Sequence, residues 1–362
     1  MLMDEVPLRG THHVELWVGN AKQAAYYYRK AFGFSQIAYS GLETGNRENT
    51  SYVLEQGKIK LVLTTPLSSN NRITNHLRKH GDGVRDIAFH VDDVESCFKT
   101  VVENGAEPLA GPHELVGEHG IVAKATIKTY GDVVHSFICD ENYDGVFIPG
   151  FREDSETEYS FGFKFIDHIV GNVEKGQMNH WAGFYADVLG FTQLIHFTDK
   201  DISTKYSALM SKVMQNSNKY IKFPINEPAD GLNKSQIQEF LDYYGGPGSQ
   251  HIALLTDDIV HTCTQMRNAG VEFLEIPDAY YDVLKERVGD IEEDIEILRQ
   301  LGILVDRAGE GYLLQLFTKP VQDRPTLFYE IIQRKGSDGF GQGNFQALFD
   351  SIEHEQGLRG NL

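Results

Sequence analysis

Cysteine is scarce. Cys97, Cys139 and Cys263 are the only three in 362 residues, and they stand far apart. An odd, widely spaced set offers neither a disulfide framework nor a zinc-ligand spacing, so all three read as reduced core thiols. Long apolar runs are missing too: nothing approaches the roughly 18 continuous residues of a membrane helix. Residues 1–11 mix acidic and basic side chains, so no signal peptide is expected. Positive charge is in deficit, 33 Lys and Arg against 52 Asp and Glu, for a net charge of −19. Such a surface repels nucleic acid and anionic membranes. It does not bar an anionic substrate, because a bound metal can dominate a local field. What is present, 41% apolar and 23% charged residues, is the balance of a soluble globular protein, expected in the cytoplasm and long enough for two domains.

Self-similarity is the strongest organising signal. Residues 12–18, 85–91, 167–170 and 250–255 all read as short strands with a polar residue near the start. Each is followed by a helical pattern that stops at glycine: Gly33, Gly105, Gly190 and Gly270. Helices are expected at 21–31 and 178–188. The interval from Asp86 to Gly105 equals that from His251 to Gly270, so units two and four share a frame, as do one and three. Strand-like runs follow at 34–39, 50–54 and 59–64 in unit one and at 192–197, 207–213 and 219–224 in unit three. Residues 131–137 of unit two match 311–317 of unit four. Unit four holds extra residues, assigned to the charged helical stretch at 290–301. The pattern predicts an α+β chain of four tandem βαβββ modules forming two half-barrel domains, residues 1–152 and 160–362. The acidic run 152–158 marks the boundary. A last amphipathic helix near 345–355, after the glycine-rich 336–343, is placed to cover the mouth of the second domain.

Residues 326–332 are nearly all β-branched, aromatic or aliphatic, yet carry Glu330 near the centre. Desolvating an isolated charge costs several kcal/mol, so a buried Glu330 is neutral, paired with a base or bound to a cation. The plain alternative is a solvent-facing Glu on a half-exposed strand. The second domain places His168 and His251 at the same position of its two repeat-starting strands. Roughly 80 residues separate His168 from His251 and His251 from Glu330, which matches no local zinc motif but is what equivalent strands of repeats produce. Two neutral imidazoles and one carboxylate on one face of a metal is the arrangement of non-haem Fe(II) oxygenases. In the first domain the counterparts are His13 and Asp86, and the position counted as Glu330 is counted falls on Gly150. That domain is therefore expected to be structural, without a complete metal site. Other triads among the remaining histidines stay open to pattern alone.

Several runs carry a family likeness: Pro224-Ile225-Asn226-Glu227-Pro228, Lys234-Ser235-Gln236, Gln250-His251, Gly302-Ile303-Leu304-Val305-Asp306-Arg307, Leu313-Leu314-Gln315-Leu316-Phe317, Asp323-Arg324-Pro325-Thr326, Glu330-Ile331-Ile332-Gln333-Arg334 and Gly339-Phe340-Gly341-Gln342-Gly343-Asn344-Phe345. With these in this order, the chain resembles the 4-hydroxyphenylpyruvate dioxygenase family of the vicinal oxygen chelate superfamily, whose fold is glyoxalase/bleomycin resistance-like. The likeness covers nearly the whole length and is densest after Phe161. It implies His168, His251 and Glu330 as ligands of Fe(II), one per subunit. It implies Ser211, Asn226, Gln236, Gln250 and Gln315 as the polar set around the reaction, and Phe317, Phe328, Phe340, Phe345 and Asn344 as substrate contacts. Amides suit this role because they orient a phenol and a keto acid without neutralising the metal, while phenylalanines enclose a ring and exclude water.

The implied activity converts 4-hydroxyphenylpyruvate and O2 to homogentisate and CO2 in tyrosine and phenylalanine catabolism, in a homo-oligomer, dimer or tetramer. Three relatives offer other outcomes on the same frame: 4-hydroxymandelate synthase, extradiol dioxygenases, and non-catalytic ligand-binding proteins. In the synthase branch the positions of Asn226 and Phe345 look aliphatic; here both are of the ring-hydroxylating type. The chain departs from the family at Met210, where a polar residue more usually precedes the serine.

Overall fold

A computed structural model describes residues 6–198 and 208–361. Four modules follow one plan. Module one is β1 (Gly10–Trp17), α1 (Ala21–Phe32), β2 (Ser35–Ser40), β3 (Asn49–Gln56) and β4 (Ile59–Pro66). Helix α2 (Arg72–His80) leads to module two: β5 (Gly83–His90), α3 (Val94–Glu103), β6 (Pro108–Gly117), β7 (Gly120–Lys128) and β8 (Val134–Tyr143), followed by β9 (Arg152–Glu156). Module three is β10 (Phe163–Asn172), α4 (Met178–Leu189), β11 (Thr192–Phe197), β12 (Leu209–Gln215) and β13 (Lys222–Pro228); residue 207 of the expected strand lies outside the described residues. Helix α5 (Gln236–Tyr244) precedes module four: β14 (Gly248–Thr256), α6 (Ile259–Asn268), the short α7 (Ala279–Asp282), α8 (Leu284–Val288) and α9 (Ile295–Leu301), then β15 (Leu304–Ala308), β16 (Gly311–Phe317) and β17 (Phe328–Lys335). Helix α10 (Phe345–Leu358) follows. The extra length of unit four is thus α7 to α9.

Local chemistry sets these boundaries. Asn20 caps α1 by accepting from the Gln23 N–H, and Gly33 ends it in the left-handed region at φ 71°. Gly190 ends α4 in the same way at φ 75°. The strands form two curled sheets, ordered β6-β7-β8-β5-β1-β4-β3-β2-β9 and β11-β12-β13-β10-β14-β17-β16-β15. In every module the first strand runs parallel to the fourth, and in each half the two first strands, β1 with β5 and β10 with β14, meet antiparallel. The four strands that start the modules therefore sit mid-sheet, where side chains on one face converge.

Two expectations need correction. Residues 311–317 are the third strand of their module and 131–137 lead into the fourth of theirs, so β16 corresponds to β7 and β17 to β8. The register makes this explicit: His168 faces Ala253 and Ala253 faces Glu330, while His13 faces Ala88 and Ala88 faces Ser136. The counterpart of Glu330 is Ser136, not Gly150. Gly131 precedes β8 and Gly311 opens β16, and a glycine before an apolar run does not show by spacing alone which of two adjacent strands it introduces. The acidic run at 152–158 is also more than a boundary, since its first part is β9, an edge strand added to β2. Arg29 pairs with Glu156 and Glu158, and the Gln36 amide donates to Asp154, so the charges that suggested a linker are what bind this edge.

One apolar core runs through both halves and contains Phe32, Phe34, Phe163 and Tyr329. The Tyr28 and Tyr329 hydroxyls meet inside it at 3.0 Å. At its edge the β3–β4 turn abuts the start of β10: Lys58 N–H donates to the Lys164 carbonyl, and Gly57, at φ 59°, leaves no room for a Cβ, which would lie 2.5 Å from that oxygen and 2.6 Å from the Phe163 carbonyl. Gly57→Ala is therefore expected to destabilise the protein by about 1–3 kcal/mol, through strain and separation of the halves. The urea midpoint of the variant measures this, and an unchanged midpoint would show that the halves do not depend on this contact.

Candidate metal centre and its cavity

In β10 the ladder slips between Ile166 and His168, leaving Asp167 as a bulged residue. A bulge breaks the strict alternation of faces, so neighbours in sequence can turn to the same side. Asp167 and His168 do so, and the His168 Nδ1 lies 2.8 Å from an Asp167 oxygen. Arg334 at the end of β17 clamps the same carboxylate through Nε at 2.7 Å and Nη2 at 2.8 Å. Burial opposes the charge on Asp167, yet Arg334 and His168 hold the carboxyl well below the usual range. An ionised carboxylate only accepts, so the His168 proton sits on Nδ1 and the Nε2 lone pair faces inward.

That lone pair is 3.1 Å from Glu330 Oε2, and His251 Nε2 is 3.4 Å from the same oxygen. His251 Nδ1 lies 3.3 Å from the Gln250 amide oxygen, which fixes the second ring in the same tautomer. Gln315 donates to the other oxygen, Glu330 Oε1, at 2.9 Å. Glu330 is 2% exposed. Burial works against its charge, and the two imidazoles outweigh that effect when they carry protons, holding its carboxyl down at about 2; a bound cation takes the place of those protons. Two imidazole nitrogens and a carboxylate oxygen, all within 4.8 Å of one another, converge on one point. A cation there satisfies all three, and two neutral imidazoles with one carboxylate are a donor set suited to a divalent transition metal.

The three groups open into a cavity of about 650 Å3, including the open space at its mouth. Its walls show strand alternation: Leu209, Ser211 and Val213 on β12, Pro224 and Asn226 on β13, His168 and Val170 on β10, Gln315 and Phe317 on β16, Phe328 and Glu330 on β17. Met210 lies between two wall residues and packs instead against the core, so the departure from the family pattern leaves Ser211 in the cavity. Gln236, Gln250, Phe340 and Phe345 complete the expected set. His251 stacks on Phe328 at 4.7 Å between centroids, and Phe340 lies 5.2 Å from His168. Asn344 stands apart from the wall: its amide donates to Gln315 Oε1 at 3.0 Å, one step behind the cavity. Residues without a role assigned from sequence include Asp167 and Arg334, which orient His168, and the apolar Phe197, Leu348, Phe349 and Ile352. The last three lie on α10, which does line the mouth.

Curled half-barrels of paired βαβββ modules, with a candidate metal-ligand set at the centre of one, define a protein of the vicinal oxygen chelate class. Two family models, both described as Glyoxalase/Bleomycin resistance protein/Dioxygenase superfamily, match residues 12–123 and 165–294. A solved structure of a triple mutant of 4-hydroxymandelate synthase from Streptomyces coelicolor superposes with a TM-score of 0.87, at 33% identity over 97% of this chain and 99% of that one. Curated relatives named 4-hydroxyphenylpyruvate dioxygenase are more similar in sequence. The Dictyostelium discoideum protein is 46% identical over 98% of this chain and 100% of its own length, and the Danio rerio protein 47% over 99% and 94%. The chain belongs to the 4-hydroxyphenylpyruvate dioxygenase family.

Since Asp167 fixes the tautomer and aim of His168, Asp167→Asn is expected to weaken metal binding at the triad by about 10–100-fold while the fold persists. Metal titration of the stripped protein reads this directly, and unchanged affinity would remove Asp167 from the site.

Proposed function

We propose that the chain is an Fe(II) dioxygenase that converts 4-hydroxyphenylpyruvate and O2 to homogentisate and CO2, as a cytoplasmic step of tyrosine and phenylalanine catabolism. The observation that carries this reading is the convergence of His168, His251 and Glu330 on one point at the floor of a cavity walled by amides and phenylalanines. The reaction balances: the side-chain carboxylate leaves as CO2, one oxygen atom enters the new carboxylate, and the other enters the ring as the side chain migrates. The substrate supplies the electrons that reduce O2, two from oxidative decarboxylation of the keto acid and two from the ring; iron held by His168, His251 and Glu330 would mediate that transfer and return to its starting state.

The remaining residues do the positioning. Among the described wall residues, the three metal ligands are the only titratable groups, so no side chain is left to act as an independent acid or base. Ser211 and Asn226 are cross-strand neighbours and, with Gln236, offer hydroxyl and amide groups to the phenol. Gln250 and Gln315 lie beside the ligands and suit the keto acid. Gln315 is held from both sides, by Glu330 and by Asn344. Phe317, Phe328, Phe340 and Phe345 present flat apolar faces that hold the ring and keep water from the reacting atoms. The likeness to 4-hydroxymandelate synthase makes benzylic hydroxylation the competing outcome, and the amide of Asn226 and the ring of Phe345 in the cavity favour ring hydroxylation.

Anaerobic addition of 4-hydroxyphenylpyruvate to the Fe(II) protein should produce a charge-transfer band, and admission of air should yield homogentisate. Accumulation of 4-hydroxymandelate instead would assign the chain to the other branch. Glu330→Ala should lose both iron retention and turnover, and a variant with full metal content and activity would refute the ligand assignment.

A further inference from the structure

The half of the molecule that lacks the catalytic triad repeats its frame and fills it differently. β1, β5 and β8 pair as β10, β14 and β17 do, and the same bulge recurs, with His12 displaced between Thr11 and His13 as Asp167 is between Ile166 and His168. In this register Asp140 takes the place of Arg334, and His90 that of Leu255. Where the second half holds a bound ion pair, Asp167 with Arg334, the first half presents His12 opposite Asp140, with His90 added from the end of β5. The guanidinium that neutralises the carboxylate in one half has no counterpart in the other.

The three groups converge. His12 Nε2 is 3.4 Å from Asp140 Oδ2 and His90 Nδ1 is 3.6 Å from Asp140 Oδ1, with all ligand atoms within 4.8 Å of one another. Both contacts are longer than a charge-assisted hydrogen bond, and close to the spacing that the second half shows around Glu330. His12 Nδ1 lies 2.6 Å from His13 Nδ1. With His13 accepting, His12 carries its proton on Nδ1 and aims the Nε2 lone pair at Asp140, the same outer-partner device that sets His168. Phe147 packs against His12 and His13 and closes the inner side. His90 and Asp140 keep 38% and 35% of their side chains exposed, which leaves a path for an ion and a position for water. The lysines nearby are already paired, Lys60 with Glu55 at 3.3 Å and Lys124 with Asp86 at 3.5 Å.

We propose that His12, His90 and Asp140 form a second metal site, structural in role and separate from the catalytic centre, that takes a divalent transition cation of the zinc class. Two imidazole nitrogens and one carboxylate oxygen fit such an ion, with water completing a tetrahedral set, whereas calcium and magnesium prefer oxygen alone. The cation supplies the positive charge that Arg334 supplies in the other half and ties together three adjacent strands of the first sheet, β8, β5 and β1.

The test uses the full-length chain, stripped with a chelator and titrated with Zn(II) or Co(II) by calorimetry and equilibrium dialysis. Wild type should bind two equivalents and Glu330→Ala one. Adding His90→Gln and Asp140→Asn should remove one equivalent from either background, and the Fe(II)-loaded double variant should keep turnover within about twofold of wild type. Zn(II) should raise the melting temperature of Glu330→Ala and leave that of the combined variant unchanged. The proposal fails if wild type binds a single equivalent that Glu330→Ala abolishes, because protons then hold the cluster together. It fails equally if the His90→Gln, Asp140→Asn variant still takes up two, whatever becomes of the catalytic assignment.

Discussion

A carboxylate shut away from water and faced by two imidazole lone pairs is the constraint that orders the second half of the molecule. Glu330 can keep its charge only if something positive shares its pocket, and each group around it is fixed with that end in view. Asp167 turns His168, and Arg334 holds Asp167. The same guanidinium donates to the carbonyls of Ser337 and Gly339, at 3.0 and 2.7 Å, and lies 5.4 Å from the Phe340 ring. One ion pair thus aims a ligand and places an aromatic wall. On the other side, Glu330 is tied through Gln315 to Asn344, and Asn344 accepts from the Tyr280 hydroxyl at 2.7 Å just before α10 begins. Ligand geometry and cavity shape are therefore joined in one hydrogen-bonded network.

Comparison of the halves shows how the same frame is filled differently in each. Asp86 occupies the position of His251, and Ser136 that of Glu330. The Ser136 N–H and hydroxyl donate to Asp86 at 3.1 and 2.5 Å, and Lys124 stands 3.5 Å away. The carboxylate is satisfied by neighbours that the strands themselves provide, and nothing further is called for. In the second half the neighbours are imidazole nitrogens, and the carboxylate keeps its charge beside them only when a proton or a cation stands between. The difference lies in three side chains and not in the backbone.

Repetition is what made the triad legible in sequence. His168 and His251 begin equivalent strands, and Glu330 stands out as a charge in an apolar run. The cavity walls followed from the family likeness, and strand alternation explains why Ser211 reaches the cavity and Met210 does not. Spacing could not reveal the bulge, which has no composition of its own and depends on pairing across two strands. With the bulge hidden, Asp167 looks like a surface acid and Arg334 like a strand-end cation. The same blindness to pairing sent the counterpart of Glu330 to Gly150 instead of Ser136. β9 was missed because its five residues are nearly all charged, and an edge strand is stabilised by partners elsewhere in the chain, here Arg29 and Gln36.

The outer wall of the cavity is held differently from its floor. α10 gives Phe345, Leu348, Phe349 and Ile352 to the interior, and Phe345 meets Phe197 edge-on at 5.0 Å. Its outer attachments are polar: Lys319 with Glu355, Arg359 with Glu239, and the Ser351 hydroxyl on the Glu275 carbonyl. Partly solvated pairs of this kind contribute about 1 kcal/mol or less each, so most of the holding force is burial of the four apolar side chains against the cavity. A flat aromatic substrate adds apolar surface to that same contact. Occupancy of the cavity then adds to the apolar burial that seats the helix over its mouth.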